Sequence, residues 1–342
     1  MRHQGSRIFK ALDAITGVIA LALVASSPVS AAKLIIKIGS PTIKESVHHW
    51  MMKFEKRIEK RSGDRIDVKV FPLSQLGTIP RMVEGVQLGT IEIAMIPPAF
   101  LVGLDQRYQV VSAPGVFKDQ FHGFRTVQDP EFKKAFWPIG ERKGIKMIGM
   151  FCPADTSYAS RTPLRTLSDF KGKKIRVFAS GMEREAMRRL EAAASPMPLS
   201  EVLPALQRGV LDAAKSGMVI FVAFKFQHTA KYVTRTNESL ICVPTLASKV
   251  WFDRLPRADR QLITEVAHNI DVEMQPNSVK FNLNIYNVWK KIGGELIDFS
   301  PQDRAKFDKL MATVGDKVVG DKPEVRKMYE LLKKVAKRRS IK

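Results

Sequence analysis

Between residues 33 and 96 the chain changes its hydrophobic period four times, and this alternation restricts the fold more than any other feature. The segment KLIIKIG (33–39) is β-branched and reads as a strand. TIKE (42–45) has the form of a capping box, Thr42 with Glu45 three residues on. Val47, Trp50, Met51, Phe54 and Ile58 then recur at helical spacing, and Gly63 ends the run. RIDVKVF (65–71) alternates as a strand, PRMVEGVQLG (80–89) as a helix, and IEIAMI (91–96) as a third strand. A β-α-β-α-β order calls for a parallel sheet with helices packed on it.

A second series starts near residue 145. GIKMIGMF (144–151), SYASR (157–161) and KKIRVF (173–178) read as strands, and MEREAMRRLEAA (182–193) as a helix. In 195–214, Leu199, Val202, Leu203 and Leu206 share a helical face, and Gly209 closes it. From Ala258 to about Gly293 the pattern is helical, with Pro276 predicting two helices or one kinked helix. The last 40 residues predict two more helices. Two such series point to two lobes. In sheets of this kind ligands sit beyond the strand carboxyl ends, here in a cleft between the lobes.

Residues 1–32 read as a secretory leader. Arg2, Arg7 and Lys10 precede the apolar run ALDAITGVIALALV and then SSPVSAA. The alternative is an N-terminal membrane anchor, for which the apolar run is short. Export makes a Cys152–Cys242 disulfide chemically possible, and two buried free thiols are the alternative. The formal charge is +22, and loss of the leader brings it to about +20. The cations are spread along the chain except in the tail KKVAKRRSIK, which reads as a solvated helix end. Basic residues interleaved with exposed aromatics, as a nucleic-acid surface needs, are missing. No HExxH, CxxC, GxGxxG, GxxxxGK[ST] or GxSxG occurs, which argues against a metalloenzyme and gives no support for catalysis. No catalytic residue, metal or cofactor is expected.

Several segments in order carry a family resemblance. They are 54–95 with its FPLSQLG turn, LSDFKGKKIRV (167–177), SPMPLSEVLPALQRGVLDAAKSG (195–217), KYVTRTN (231–237) and VWFDRLPRADRQLI (250–263). The chain resembles the solute-binding subunits of TRAP (tripartite ATP-independent periplasmic) transporters, of the DctP type. The resemblance implies an α/β periplasmic binding protein fold, each lobe a mixed sheet flanked by helices, with the ligand cleft at the hinge. Lobe I is expected to take 33–151 and about 241–280. Lobe II is expected to take 152–240 and about 281–342. The implied function is periplasmic capture of a small organic acid between closing lobes, for delivery to an ion-gradient-driven permease. No nucleic acid is involved, and the membrane is met only through the permease.

By the same resemblance Arg176, on the KIRV strand, grips the ligand carboxylate; its planar fork matches two oxygens as an ammonium cannot. Phe178 stands where a proline often follows. Ser216 takes the place of an asparagine that touches ligand, and Lys215 replaces an acid. Asp155 lies near the position of a second arginine. Thr42 and Pro97 follow first-lobe strands and complete the expected contacts. Asp155 can recognise an amino or hydroxyl group, pair with Lys215 or Arg176 in the empty site, or serve only as a turn residue. These departures point to a monocarboxylate with an apolar or aromatic body. The competing readings are an exported two-lobed enzyme and a basic envelope protein that binds lipid or polyanion.

Overall fold

A computed structural model describes residues 33–320 and 322–340. The expected leader, 1–32, lies outside them. Five strands form one sheet in the order β2-β1-β3-β10-β4 and six form another in the order β11-β9-β5-β8-β6-β7. In the first sheet these are β1 (Leu34–Gly39), β2 (Ile66–Phe71), β3 (Ile93–Met95), β4 (Ile145–Asp155) and β10 (Leu240–Ser248). The second holds β5 (Ser157–Ser160), β6 (Lys174–Val177), β7 (Ala193–Pro196), β8 (Ala213–Ser216), β9 (Tyr232–Thr234) and β11 (Glu295–Ile297). Both are mixed. β1 runs parallel to β2 and β3, whereas β10 is antiparallel to β3 and β4. β6 runs parallel to β7 and β8, whereas β5 is antiparallel to β8 and β9. This is the two-lobed α/β architecture expected from the sequence.

The chain passes between the sheets in three places. β4 ends at Asp155 and β5 starts at Ser157, so Thr156 alone separates them. The return runs through 235–239 into β10. Thr156 N donates to Ser239 O (3.0 Å) and Asn237 N to Thr156 O (3.0 Å), which ties these two crossings together. The third crossing is the helix Arg257–Lys291. Its first half buries Ile263, Val266, Ile270 and Met274 with the first sheet, and its second half buries Ile285 and Trp289 with the second.

That helix is continuous through Pro276, so of the two expected arrangements the pair of separate helices is excluded. Side chains around the proline offset its lost backbone bond by docking on β4, an edge strand of its sheet. Asp271 accepts from Met150 N and from Trp50 Nε1, both at 2.8 Å. Gln275 both accepts from Cys152 N (2.9 Å) and donates to Cys152 O (3.0 Å). Asn282 donates to Pro153 O (2.6 Å).

Other expectations change. The first helix begins at Ser46, not within TIKE, and Glu45 is its cap. Thr42 does contact Glu45, but as a donor to its carboxylate. Three helices follow β11 (Pro301–Ala312, Val314–Val319 and Pro323–Arg339), where two were expected. The basic tail is not simply solvated. Arg338 and Arg339 both bond Asp129, which is 1% exposed, and Lys334 bonds Glu131. Cys152 and Cys242 are joined as a disulfide between the paired strands β4 and β10, which decides between the two thiol readings.

Candidate ligand-binding site

A cavity of about 550 Å³, its mouth included, lies where the two sheets face each other. The part of it that a water-sized sphere can occupy is only about 50 Å³, below the roughly 300–1,000 Å³ usual for small-molecule sites. One wall comes from the first sheet and the loops after its strands, with Pro41, Thr42, Glu45, Met95, Pro97 and Phe100. The other comes from the second sheet, with Arg176, Phe178, Leu199, Ser216 and Val219. Of the expected site residues, five therefore line one cavity: Arg176, Phe178, Ser216, Thr42 and Pro97.

Asp155 is not among the lining residues. Its carboxylate accepts from Gln120 Nε2 (3.2 Å), and burial pushes its pKa up. It pairs with neither Lys215 nor Arg176, so that expectation is corrected. The reason is that each has other partners.

Arg176 sits in β6 between β7 and β8 and is 1% exposed. Its Nε donates to Met197 O (3.0 Å) and Nη1 to Lys215 O (2.9 Å). Nη2 is buried and has no protein partner. Two carbonyls thus fix the plane of the guanidinium and leave one edge unsatisfied. The charge lies 4.6 Å from the Phe178 ring centre and 5.9 Å from that of Phe100, within cation–π reach. The two rings meet edge to face at 5.6 Å. Burial pulls the Arg176 pKa down to about 10, against the opposing charge of Glu183, and leaves a cation at neutral pH.

Behind Arg176 lies a charge cluster that the sequence reading missed. Lys215 Nζ is 3.0 Å from Glu238 Oε1, 3.5 Å from Glu183 Oε1 and 3.2 Å from Ser239 Oγ. Tyr158 Oη donates to Glu238 (2.9 Å), and Ser180 Oγ is 3.1 Å from Glu183. Burial acts to lower the Lys215 pKa, but Glu238 and Glu183 outweigh it and the net shift is upward. Glu183 is pushed up by burial. Glu238, equally buried, is nevertheless pulled down, chiefly by Lys215. Two buried acids thus flank Lys215 and oppose the cost of burying its charge.

Phe100 and Glu45 line the wall without having been among the expected contacts. Phe100 follows β3, so its position after a strand was the available signal. Glu45 carries only a helix-start signature. No cluster of three or more metal-ligating side chains occurs among the described residues.

Two mixed sheets joined by three crossings, with a buried guanidinium at the cavity between them, define a two-lobed solute-binding protein. The family described as "Bacterial extracellular solute-binding protein, family 7" (DctP) matches residues 41–321, and the chain belongs to that family. It is 28% identical over 305 residues to the 2,3-diketo-L-gulonate-binding periplasmic protein YiaO of Escherichia coli K12, covering 88% of this chain and 92% of that protein. It is 27% identical over 314 residues to the C4-dicarboxylate-binding periplasmic protein DctP of Rhodobacter capsulatus, covering 90% and 93%. It shares its fold with a TRAP periplasmic solute binding protein from Desulfovibrio salexigens with bound orotic acid. The TM-score is 0.84 at 24% identity, over 90% of this chain and 100% of that one. The family is periplasmic, serves TRAP transport and binds solutes, so this chain is a binding protein and not an enzyme.

Proposed function

We propose that this protein is exported by its leader, 1–32, and captures a monocarboxylate with an apolar or aromatic body in the periplasm. It then delivers that ligand to an ion-gradient-driven TRAP permease. The single observation that carries the reading is the unsatisfied, buried Nη2 of Arg176 at a cavity walled mainly by apolar side chains. A ligand carboxylate supplies the missing acceptor, and Phe178 with Phe100 offers a flat apolar surface beside it. Thr42, Pro97 and Ser216 complete the wall. Asp155, which bonds Gln120, is not used.

The lobes are taken as 33–151 with about 241–280 and 152–240 with about 281–342, although β4 carries the first sheet on to Asp155 and β10 begins at Leu240. Closure of the lobes about the paired crossings at Thr156 and 235–239 encloses the ligand. The relatives named for 2,3-diketo-L-gulonate and C4-dicarboxylates support a carboxylate as the shared recognition element.

Calorimetry with a panel of carboxylates tests the ligand class. Tight binding of a short dicarboxylate, with none of aromatic or keto acids, refutes it. Arg176→Lys keeps the charge and loses the fork. It is expected to weaken binding of any carboxylate that the wild type takes by ten- to a hundredfold, about 1.5–3 kcal/mol. Circular dichroism is expected to stay unchanged. Equal affinity removes Arg176 from the site.

A further inference from the structure

The wall opposite Arg176 carries a second buried ionisable side chain, Glu45, whose pKa burial pushes up against the bonds it accepts from Thr42, Val47 and His48. Glu45 caps the helix Ser46–Ser62, lines the cavity and is 2% exposed. Its Oε1 accepts from Thr42 Oγ1 (2.6 Å) and His48 N (3.0 Å), and its Oε2 accepts from Val47 N (2.8 Å). A carboxylate offers about four lone-pair sites. Three are filled, and the one that remains is on Oε2. Among the described residues no lysine, arginine or histidine forms an ion pair with it. A helix cap needs none of this placement in a ligand cavity, since Ser, Thr or Asn does the same work without a carboxylate.

We infer that Glu45 is a specificity-determining residue, selecting ligands whose end remote from the Arg176-bound carboxylate is a neutral or cationic hydrogen-bond donor, and rejecting those with a second anionic group there. This rests on the reading of Arg176 as the carboxylate anchor. The chemistry follows from charge and lone pairs. Arg176 and Glu45 are the charged residues of the lining, of opposite sign and on opposite walls. A second ligand carboxylate directed at the first-sheet wall finds no cation there and a carboxylate already buried. Two like charges without a counter-ion in a desolvated space is a repulsive element of the kind that specificity requires. A hydroxyl, amide N–H or ammonium at the same place donates to the free lone pair of Oε2. Thr42 cannot donate to a second ligand carboxylate, because its hydroxyl proton is committed to Glu45.

Two probes of the same ring and opposite para groups separate the outcomes: 4-hydroxybenzoate, which presents a donor, and terephthalate, which presents a second carboxylate. Calorimetry on the full mature protein is expected to give 4-hydroxybenzoate at least tenfold tighter binding than terephthalate. In Glu45→Gln, which removes the charge but keeps an oxygen for the helix N–H groups, the preference is expected to fall below threefold. Equal affinity for the two probes in the wild type overturns the inference, and that arm depends on no variant folding. A wild-type preference that persists in Glu45→Gln overturns it as well. Arg176→Lys distinguishes the two levels. If it weakens both probes while Glu45→Gln leaves their ratio untouched, the inference about Glu45 falls alone. If it changes neither affinity, the anchor reading falls and this one with it.

Discussion

Replacing Lys215 by methionine isolates what the buried charges contribute. The ammonium lies 3.0 Å from Glu238 and 3.5 Å from Glu183, and its side chain is fully buried. With an effective dielectric of about 20, the two attractions come to about 5 kcal/mol each. Desolvation of the ammonium cancels several kcal/mol of that total. Methionine fills similar volume and leaves two buried carboxylates with Arg176 as the nearest cation. The loss is capped, because a carboxylate can take up a proton; doing so at pH 7 from an ordinary value near 4.3 costs about 4 kcal/mol. The expected destabilisation is therefore about 3–5 kcal/mol, measured by urea unfolding at pH 7.5. Its pH dependence is a sharper signature. In the variant both glutamates have folded pKa values above their unfolded ones. The folded state then holds the extra protons, and the stability deficit shrinks as pH falls toward 5. Adding Glu183→Gln and Glu238→Gln to the same chain is expected to restore much of the loss. A deficit under about 1 kcal/mol that does not change with pH refutes the reasoning.

Two further perturbations probe the frame around the site. Burial pushes Asp271 up to about 7, against the opposing Met150 N–H, the Trp50 N–H and Lys133. Its folded pKa lies above the ordinary value of 3.8, so stability is greatest below about pH 4 and declines as pH rises to about 7, by up to about 4 kcal/mol. Asp271→Asn removes that decline. The stability of the variant relative to wild type is expected to rise between pH 4 and 7, and a constant difference counts against it. Cys152→Ser with Cys242→Ser opens a loop with a separation of 90 residues, worth about 4–5 kcal/mol in loop-closure entropy. A urea midpoint unchanged from that of the oxidised wild type contradicts this.

The frame of the first lobe was readable because its signals are local. β1, the first helix and β2 each repeat their own period; Gly63 separates the helix from β2, and the PLSQLG turn ends β2. β10 was not readable. Its segment LICVPTLAS contains Pro244, which argues against an interior strand. The structure accommodates it through register shifts on both sides, at Ile241/Val243 and Thr245/Leu246. The short 3-10 turns within 98–143 have no period to detect. Arg176 was legible only because a family motif surrounds it; alternation in KKIRVF does not by itself separate it from a surface cation. Lys215, Glu183 and Glu238 come from a strand, a helix and a crossing segment. Each alone looks like surface charge, and only the topology joins them.

The same topology leaves the proposed anchor, Arg176, without a side-chain carboxylate partner among the described residues. A buried guanidinium ordinarily demands a carboxylate, and any side-chain carboxylate placed against Nη2 would compete with the solute. Here the nearby acids are engaged elsewhere: Glu183 and Glu238 by Lys215, and Asp155 by Gln120. Carbonyls hold two of the guanidinium nitrogens, which orients the fork without neutralising it. An unsatisfied buried donor costs about 1–3 kcal/mol, and an incoming carboxylate relieves that cost when it binds. If Arg176 is the anchor proposed above, Lys215 serves recognition at one remove. Its ammonium occupies the acids that would otherwise turn to Arg176, while its backbone oxygen fixes the guanidinium in the orientation a carboxylate needs.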